Sequence, residues 1–174
     1  RVTRAFEEWF SGYGVDPVDI GVGGSIPFIA DLVREFPGAQ ILVTSSDGPG
    51  TVTFGGEMNV FDTRYLTVSS ITISAGGDAF HCERCDHVTL SSLVLDGGRR
   101  AAHDLLKVNQ SSNIAVINSD IHGAEDNSLD FVAVDHATIR GNHIHDAGDW
   151  CAYVKGGSSD VFVDSNEIDH CGTG

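Results

Sequence analysis

Basic side chains are scarce in this sequence. Lys107, Lys155 and scattered arginines, 10 basic residues in all, face 25 acids, for a net charge of −15 over 174 residues. That balance excludes a nucleic-acid partner, because phosphate contacts need clustered Lys and Arg. Long apolar runs are missing as well: none approaches the roughly 18 residues a bilayer span requires, so no membrane span is expected. The 41% hydrophobic content and a mean hydropathy of −0.03 are those of a globular chain. An acidic surface suits solubility, calcium or cationic partners. The sequence opens at Arg1, its only methionine is Met58, and it shows no signal-peptide pattern. It ends at Gly174 inside an unfinished repeat, so it reads as an internal fragment.

Two further absences divide the chain. No proline follows Pro49, and no histidine or cysteine precedes His81. Residues 1–49 and 50–174 therefore read as separate units. In the first, Val2, Ala5, Phe6, Trp9 and Phe10 share one helical face. Val15 to Val22 follows as a strand and Ile26 to Phe36 as a helix, with Ser25 as N-cap and Pro27 in its first turn. Gln40 to Thr44 returns as a strand. The glycine-rich turn Gly21-Val22-Gly23-Gly24-Ser25-Ile26 fails as a dinucleotide fingerprint, since Ile26 stands where the third glycine belongs. Free N–H groups at the helix start suit a carboxylate instead.

Residues 4–45 or so, with Gly23-Gly24-Ser25-Ile26-Pro27 among them, resemble the late part of the catalytic domain of M20 metallopeptidases and deacylases. The resemblance implies that Gly23, Gly24 and Ser25 contact a substrate carboxylate, and that zinc would act only in a complete parent. The pattern stops short of the family's metal-binding histidine: Ser45 to Thr53 contains none. Peptidase chemistry cannot be carried here, and a junction of two unrelated reading frames explains the abrupt change.

The second unit repeats. Leu66-Val68-Ile71-Ile73 aligns with Val88-Leu90-Leu93-Leu95 and with Ile114-Val116-Ser119-Ile121. Ala137-Ile139-Asn142-Ile144 and Val161-Val163-Asn166-Ile168 continue the series. The period of roughly 22–26 residues is one coil of a right-handed parallel β-helix, about five coils in all. The fold expected is mainly β, with a short α/β segment before the helix. Inward stacks run Met58, Phe80, Leu106, Leu129, Ala152 and Val60, Cys82, Val108, Phe131, Val154. Ser119, Asn142 and Asn166 share one coil position and predict a side-chain ladder. Residues 151–158 and 161–168 carry a resemblance to the pectate-lyase-like β-helix superfamily. It implies a polysaccharide or glycan partner, an extracellular or periplasmic setting, and calcium as a candidate cation in lyases.

Outward rows supply candidate sites. One runs Asn59, His81, Lys107, Asp130, Tyr153, and its neighbour Phe61, Glu83, Asn109, Val132, Lys155. β-Helix lyases keep their groove on this strand, so Lys107 and Lys155 are candidate bases for removing the proton α to a uronate carboxyl. His81, Glu83, Asn109, Asp130 and Tyr153 are candidate substrate contacts. A second face carries Asp120, His143, Glu167 beside Asp96, His122, His145, Asp169, where His122, His145 and Asp169 are candidate metal ligands. Cys82 and Cys85 form a lone CxxC, with Cys82 inward in the core. Cys151 and Cys171 stand one coil apart, spaced for a disulfide in an exported parent. Carbohydrate binding or lyase-like processing is the leading reading, with an M20-type fragment and a noncatalytic solenoid module as alternatives.

Overall fold

The computed structural model describes residues 40–45, 47–101 and 103–173. The helices and strand expected before residue 40, with Gly23, Gly24 and Ser25, lie outside the described residues. The described chain winds as a coil of short strands, three to a turn. The first turn is β1 (Ile41–Thr44), β2 (Thr53–Gly55) and β3 (Met58–Phe61). The second is β4 (Arg64–Ser69), β5 (Thr72–Ser74) and β6 (Phe80–Glu83); the third is β7 (Asp86–Ser91), β8 (Val94–Ala101) and β9 (Leu106–Asn109). Next come β10 (Ser112–Ile117), β11 (Asp120–Ala124) and β12 (Leu129–Val132), then β13 (Asp135–Arg140), β14 (His143–Ala147) and β15 (Ala152–Lys155). The last described strands are β16 (Ser159–Asp164) and β17 (Glu167–Cys171). No helix occurs among the described residues.

Each strand pairs in parallel with its counterpart one turn away. This makes three sheets, of 6, 6 and 5 strands, named first, second and third in the order the chain meets them. The register is the one the repeat predicts: Leu66, Val88, Ile114, Ala137 and Val161 stand in one column. Alternation then sends every second residue inward, and the enclosed apolar column is the core. Phe80, Phe131, Leu106 and Leu129 are fully buried in it. The strand expected at Gln40 to Thr44 forms as β1 and is laid on β4, with Ile41 opposite Leu66. It thus extends the first sheet.

The sharp bend from first to second sheet needs a left-handed backbone residue, and there the sequence supplies short polar ones or glycine. These are Ser70, Ser92, Asn118, Gly141 and Ser165. The predicted ladder forms just beyond them. The Ser119 N–H donates to Asn142 Oδ1 at 2.9 Å, and the Asn142 N–H to Asn166 Oδ1 at 2.9 Å. Asn142 Nδ2 donates to the Val116 carbonyl, so the polar column is satisfied inside the bend.

Two disulfides form, Cys82–Cys85 and Cys151–Cys171. The second is the pairing the spacing allowed. The first corrects the reading of a lone CxxC. Cys82 is buried as expected, but the bend at Arg84, with φ of 54°, brings Cys85 back to a Cα separation of 6.1 Å. At the last described turn the stack is less covered than its register implies: Val154 is 39% exposed, and Val163 and Ile168 are exposed too. Each has a neighbouring turn on one side only among the described residues.

Candidate functional site

The outer face of the third sheet gathers most of the candidates. His81, Lys107, Asp130 and Tyr153 stand in register on β6, β9, β12 and β15, with Glu83, Asn109, Val132 and Lys155 alongside. The connection entering each of these strands adds one more side chain: Asp78, Asp104, Asn127 and Trp150, each three residues before its row member. Sequence reasoning missed these four. The recurring offset was the signal that could have found them.

Asp130 is the centre of the cluster. Lys155 Nζ lies 2.9 Å from its Oδ1 and Lys107 Nζ 3.6 Å from its Oδ2. Neither contact meets hydrogen-bond geometry, so both are ion pairs. Lys107 donates instead to Asp104 Oδ2 at 2.5 Å, and Asn127 Nδ2 to Asp104 Oδ1 at 2.5 Å. Asp130 corrects its reading as a substrate contact. The row points outward, but the lysine side chains and the incoming connections close over it, leaving it 1% exposed. It can position the lysines and cannot touch a polymer.

Burial raises the Asp130 carboxyl above its ordinary value, against the pull of Lys155 and with the repulsion of Asp104. Burial acts on Asp104 in the same sense, yet hydrogen bonds from Lys107 and Asn127 outweigh it and hold that carboxyl low. Desolvation would lower Lys107, but Asp104 and Asp130 reverse it and keep the ammonium protonated. Lys107 is therefore a fixed cation and a poor base at neutral pH.

The two carboxyls make opposite contributions to stability. Asp130 favours its protonated form in the fold, so its share is whole below the ordinary value of 3.8 and is lost as pH rises through the folded value. The Asp104 share is present above 3.8 and is lost as pH falls through its lower folded value. Between about pH 3 and about pH 7, Asp130→Asn is expected to gain stability relative to the parent chain, and Asp104→Asn to lose it. Urea midpoints at the two pH values check both signs.

The remaining candidates take distinct places. Trp150 and Tyr153 stack with centroids 5.4 Å apart, and Lys155 Nζ sits 4.3 Å over the Tyr153 ring. His81 lies between Asn109, at 3.3 Å from its Nε2, and Asp78, at 3.9 Å from its Nδ1. Glu83 is drawn aside by Arg84, which also pairs with Asp62. Calcium does not fit here. It needs six to eight oxygens, and the converging carboxylates Asp104 and Asp130 already hold ammonium groups.

On the second sheet's outer face, His145 Nε2 meets Asp120 Oδ1 at 3.0 Å, and His143 Nε2 meets Asp169 Oδ2 at 3.2 Å. The expected trio of His122, His145 and Asp169 is split. His122 and His145 group with Asp120, whereas Asp169 groups with His143 and His145.

No curated protein matches the chain. Nothing in the comparisons supports the M20 resemblance. A family model described as the right-handed beta helix region matches residues 78–174, more than half the sequence and the stretch that carries both outer faces. With the stacked parallel turns already described, this match places the chain in the right-handed β-helix family.

Proposed function

We propose that the outer face of the third sheet binds an acidic polysaccharide. One observation carries the reading: two lysines, the only two in the chain, are anchored on a single buried carboxylate beside a stacked Trp150–Tyr153 pair. Anchored ammonium groups suit a uronate carboxylate, and flat aromatic faces suit the apolar face of a sugar ring. The net charge of −15 does not forbid an anionic ligand. At physiological ionic strength, charges beyond about 8 Å are largely screened, so the nearby lysines dominate. The two disulfides favour an oxidising, extracellular or periplasmic setting.

Of the two candidate bases, Lys107 is held as a cation by Asp104 and Asp130, which counts against it for proton abstraction. Calorimetric titration with oligogalacturonate and oligoalginate tests the binding reading, with a neutral glucan as control. Lys155→Ala is expected to weaken binding about 10- to 100-fold, the worth of one charge-assisted contact. Equal affinity for the neutral glucan, or an unchanged affinity in the variant, would count against the site. Release of unsaturated uronide, followed by its absorbance, separates a processing enzyme from the second reading, a noncatalytic β-helix module with the same ligand.

A further inference from the structure

The second sheet's outer face holds a separate constellation that owes nothing to the lysine cluster. His122 on β11 and His145 on β14 are direct register partners, with ring centroids 5.0 Å apart. Asp120, two residues before His122, points from the same face and brings Oδ1 to 3.0 Å from His145 Nε2. One donor atom from each of the three residues lies within 4.8 Å of the other two. Tetrahedral zinc with bonds of about 2.0–2.1 Å separates neighbouring donors by about 3.3 Å. The Asp120–His145 pair is already near that spacing.

The far nitrogen of His145 is also provided for. His145 Nδ1 lies 2.9 Å from Asp146 Oδ2, and His122 Nδ1 lies 4.0 Å from Asp96 Oδ1. The Asp146 carboxylate fixes the His145 tautomer and leaves its Nε2 for an ion, as such partners do behind metal-bound histidines, whereas Asp96 stands too far from His122 for a hydrogen bond. His143 stacks on His145 at 3.9 Å and holds the ring against rotation. Asp169 is less suited as a ligand, because His143 and His170 already occupy its two oxygens.

We propose that Asp120, His122 and His145 bind one divalent transition ion of the zinc class, with water or an added ligand in the fourth position. Imidazole with carboxylate favours zinc, nickel or copper over magnesium or calcium. Equilibrium dialysis of the full chain against zinc, followed by metal analysis, is expected to give one ion per chain. His122→Ala and Asp120→Asn should each weaken it at least about tenfold, and Asp146→Asn by about 10- to 100-fold, the cost of losing an orienting carboxylate. Asp169→Asn should leave it unchanged. Cobalt added to the parent chain should give the intense visible bands of a four-coordinate ion, a readout that needs no variant. No stoichiometric zinc, a six-coordinate cobalt spectrum, or loss of the ion in His143→Ala and Asp169→Asn but not in His122→Ala would each overturn the assignment.

Discussion

Phe131→Ala is expected to lower the unfolding free energy by about 3–5 kcal/mol, the range for truncating a buried phenylalanine. Phe131 lies on β12 with no exposed surface, inside the column Val60, Cys82, Val108, Phe131, Val154. In a solenoid each turn packs only on its two neighbours, so a void there can be filled only by Val108 and Val154 or the facing sheets. The parallel hydrogen bonds of β12 hold its backbone at the spacing of the adjoining turns and resist collapse. The loss reaches the proposed site as well, because Asp130 precedes Phe131 and carries both lysines. Uronate affinity should fall alongside stability. Val154→Ala, on the same column but 39% exposed, should cost under about 1 kcal/mol. Urea unfolding of the two variants decides the matter, and near-equal losses would mean that the column is not the load path of the fold.

The register of this molecule is legible in its sequence because two constraints coincide. Alternation fixes which residues point inward, and bends of fixed length fix where the alternation restarts. Arg64 and Thr72, Asp86 and Val94, Ser112 and Asp120, Asp135 and His143 keep one spacing from first to second sheet. An alignment anchored on Leu66, Val88 and Ile114 therefore carries into the second sheet without error. The variation in coil length falls almost wholly between the second and third sheets. Asp78, Asp104, Asn127 and Trp150 sit in that variable connection, so they escape an alignment built on the strands. Their fixed offset appears only when counted back from the third sheet.

Burial of a polar residue is harder to read than its direction. Asp130 points outward by register, as Tyr153 and Lys107 do, yet only Asp130 is closed over. What covers it is a set of long side chains from adjacent turns and their charges, a tertiary effect that no periodicity reports. The Cys82–Cys85 bridge was hidden for a related reason. Strand alternation predicts the inward direction of Cys82, but the return of Cys85 depends on a left-handed bend at Arg84, a residue type with no preference for that conformation. The sequence of β1 continues the α/β pattern, while its partner, β4, lies beyond the boundary between residues 49 and 50.

Gly148→Val is expected to cost about 3 kcal/mol, at the upper end for overpacking a tight contact. The reason is steric and independent of backbone conformation. A Cβ at Gly148 would stand far inside van der Waals contact of the Glu125 carbonyl oxygen on the preceding turn, with the carbonyl carbon only 2.8 Å away. The obstacle is backbone, which cannot swing aside as a side chain can. The Gly148 N–H donates to the Ala124 carbonyl at 3.0 Å, and the Asp149 N–H to that of Asp126 at 3.0 Å. Relief therefore requires the two turns to separate and these bonds to lengthen. Gly98 supplies the contrast: a Cβ there meets nothing within 4 Å, so Gly98→Ala should cost only the left-handed penalty of about 1 kcal/mol. The displaced segment also leads into Trp150, whose N–H is held by Asn127 Oδ1 at 3.2 Å and whose ring stacks on Tyr153. Forcing the turns apart should move that ring off its partner, so oligouronide affinity should drop in Gly148→Val and hold in Gly98→Ala. Thermal melts and calorimetric titration of the pair measure both effects. A Gly148→Val chain that keeps its ligand while losing stability would show that the aromatic pair takes no part in binding.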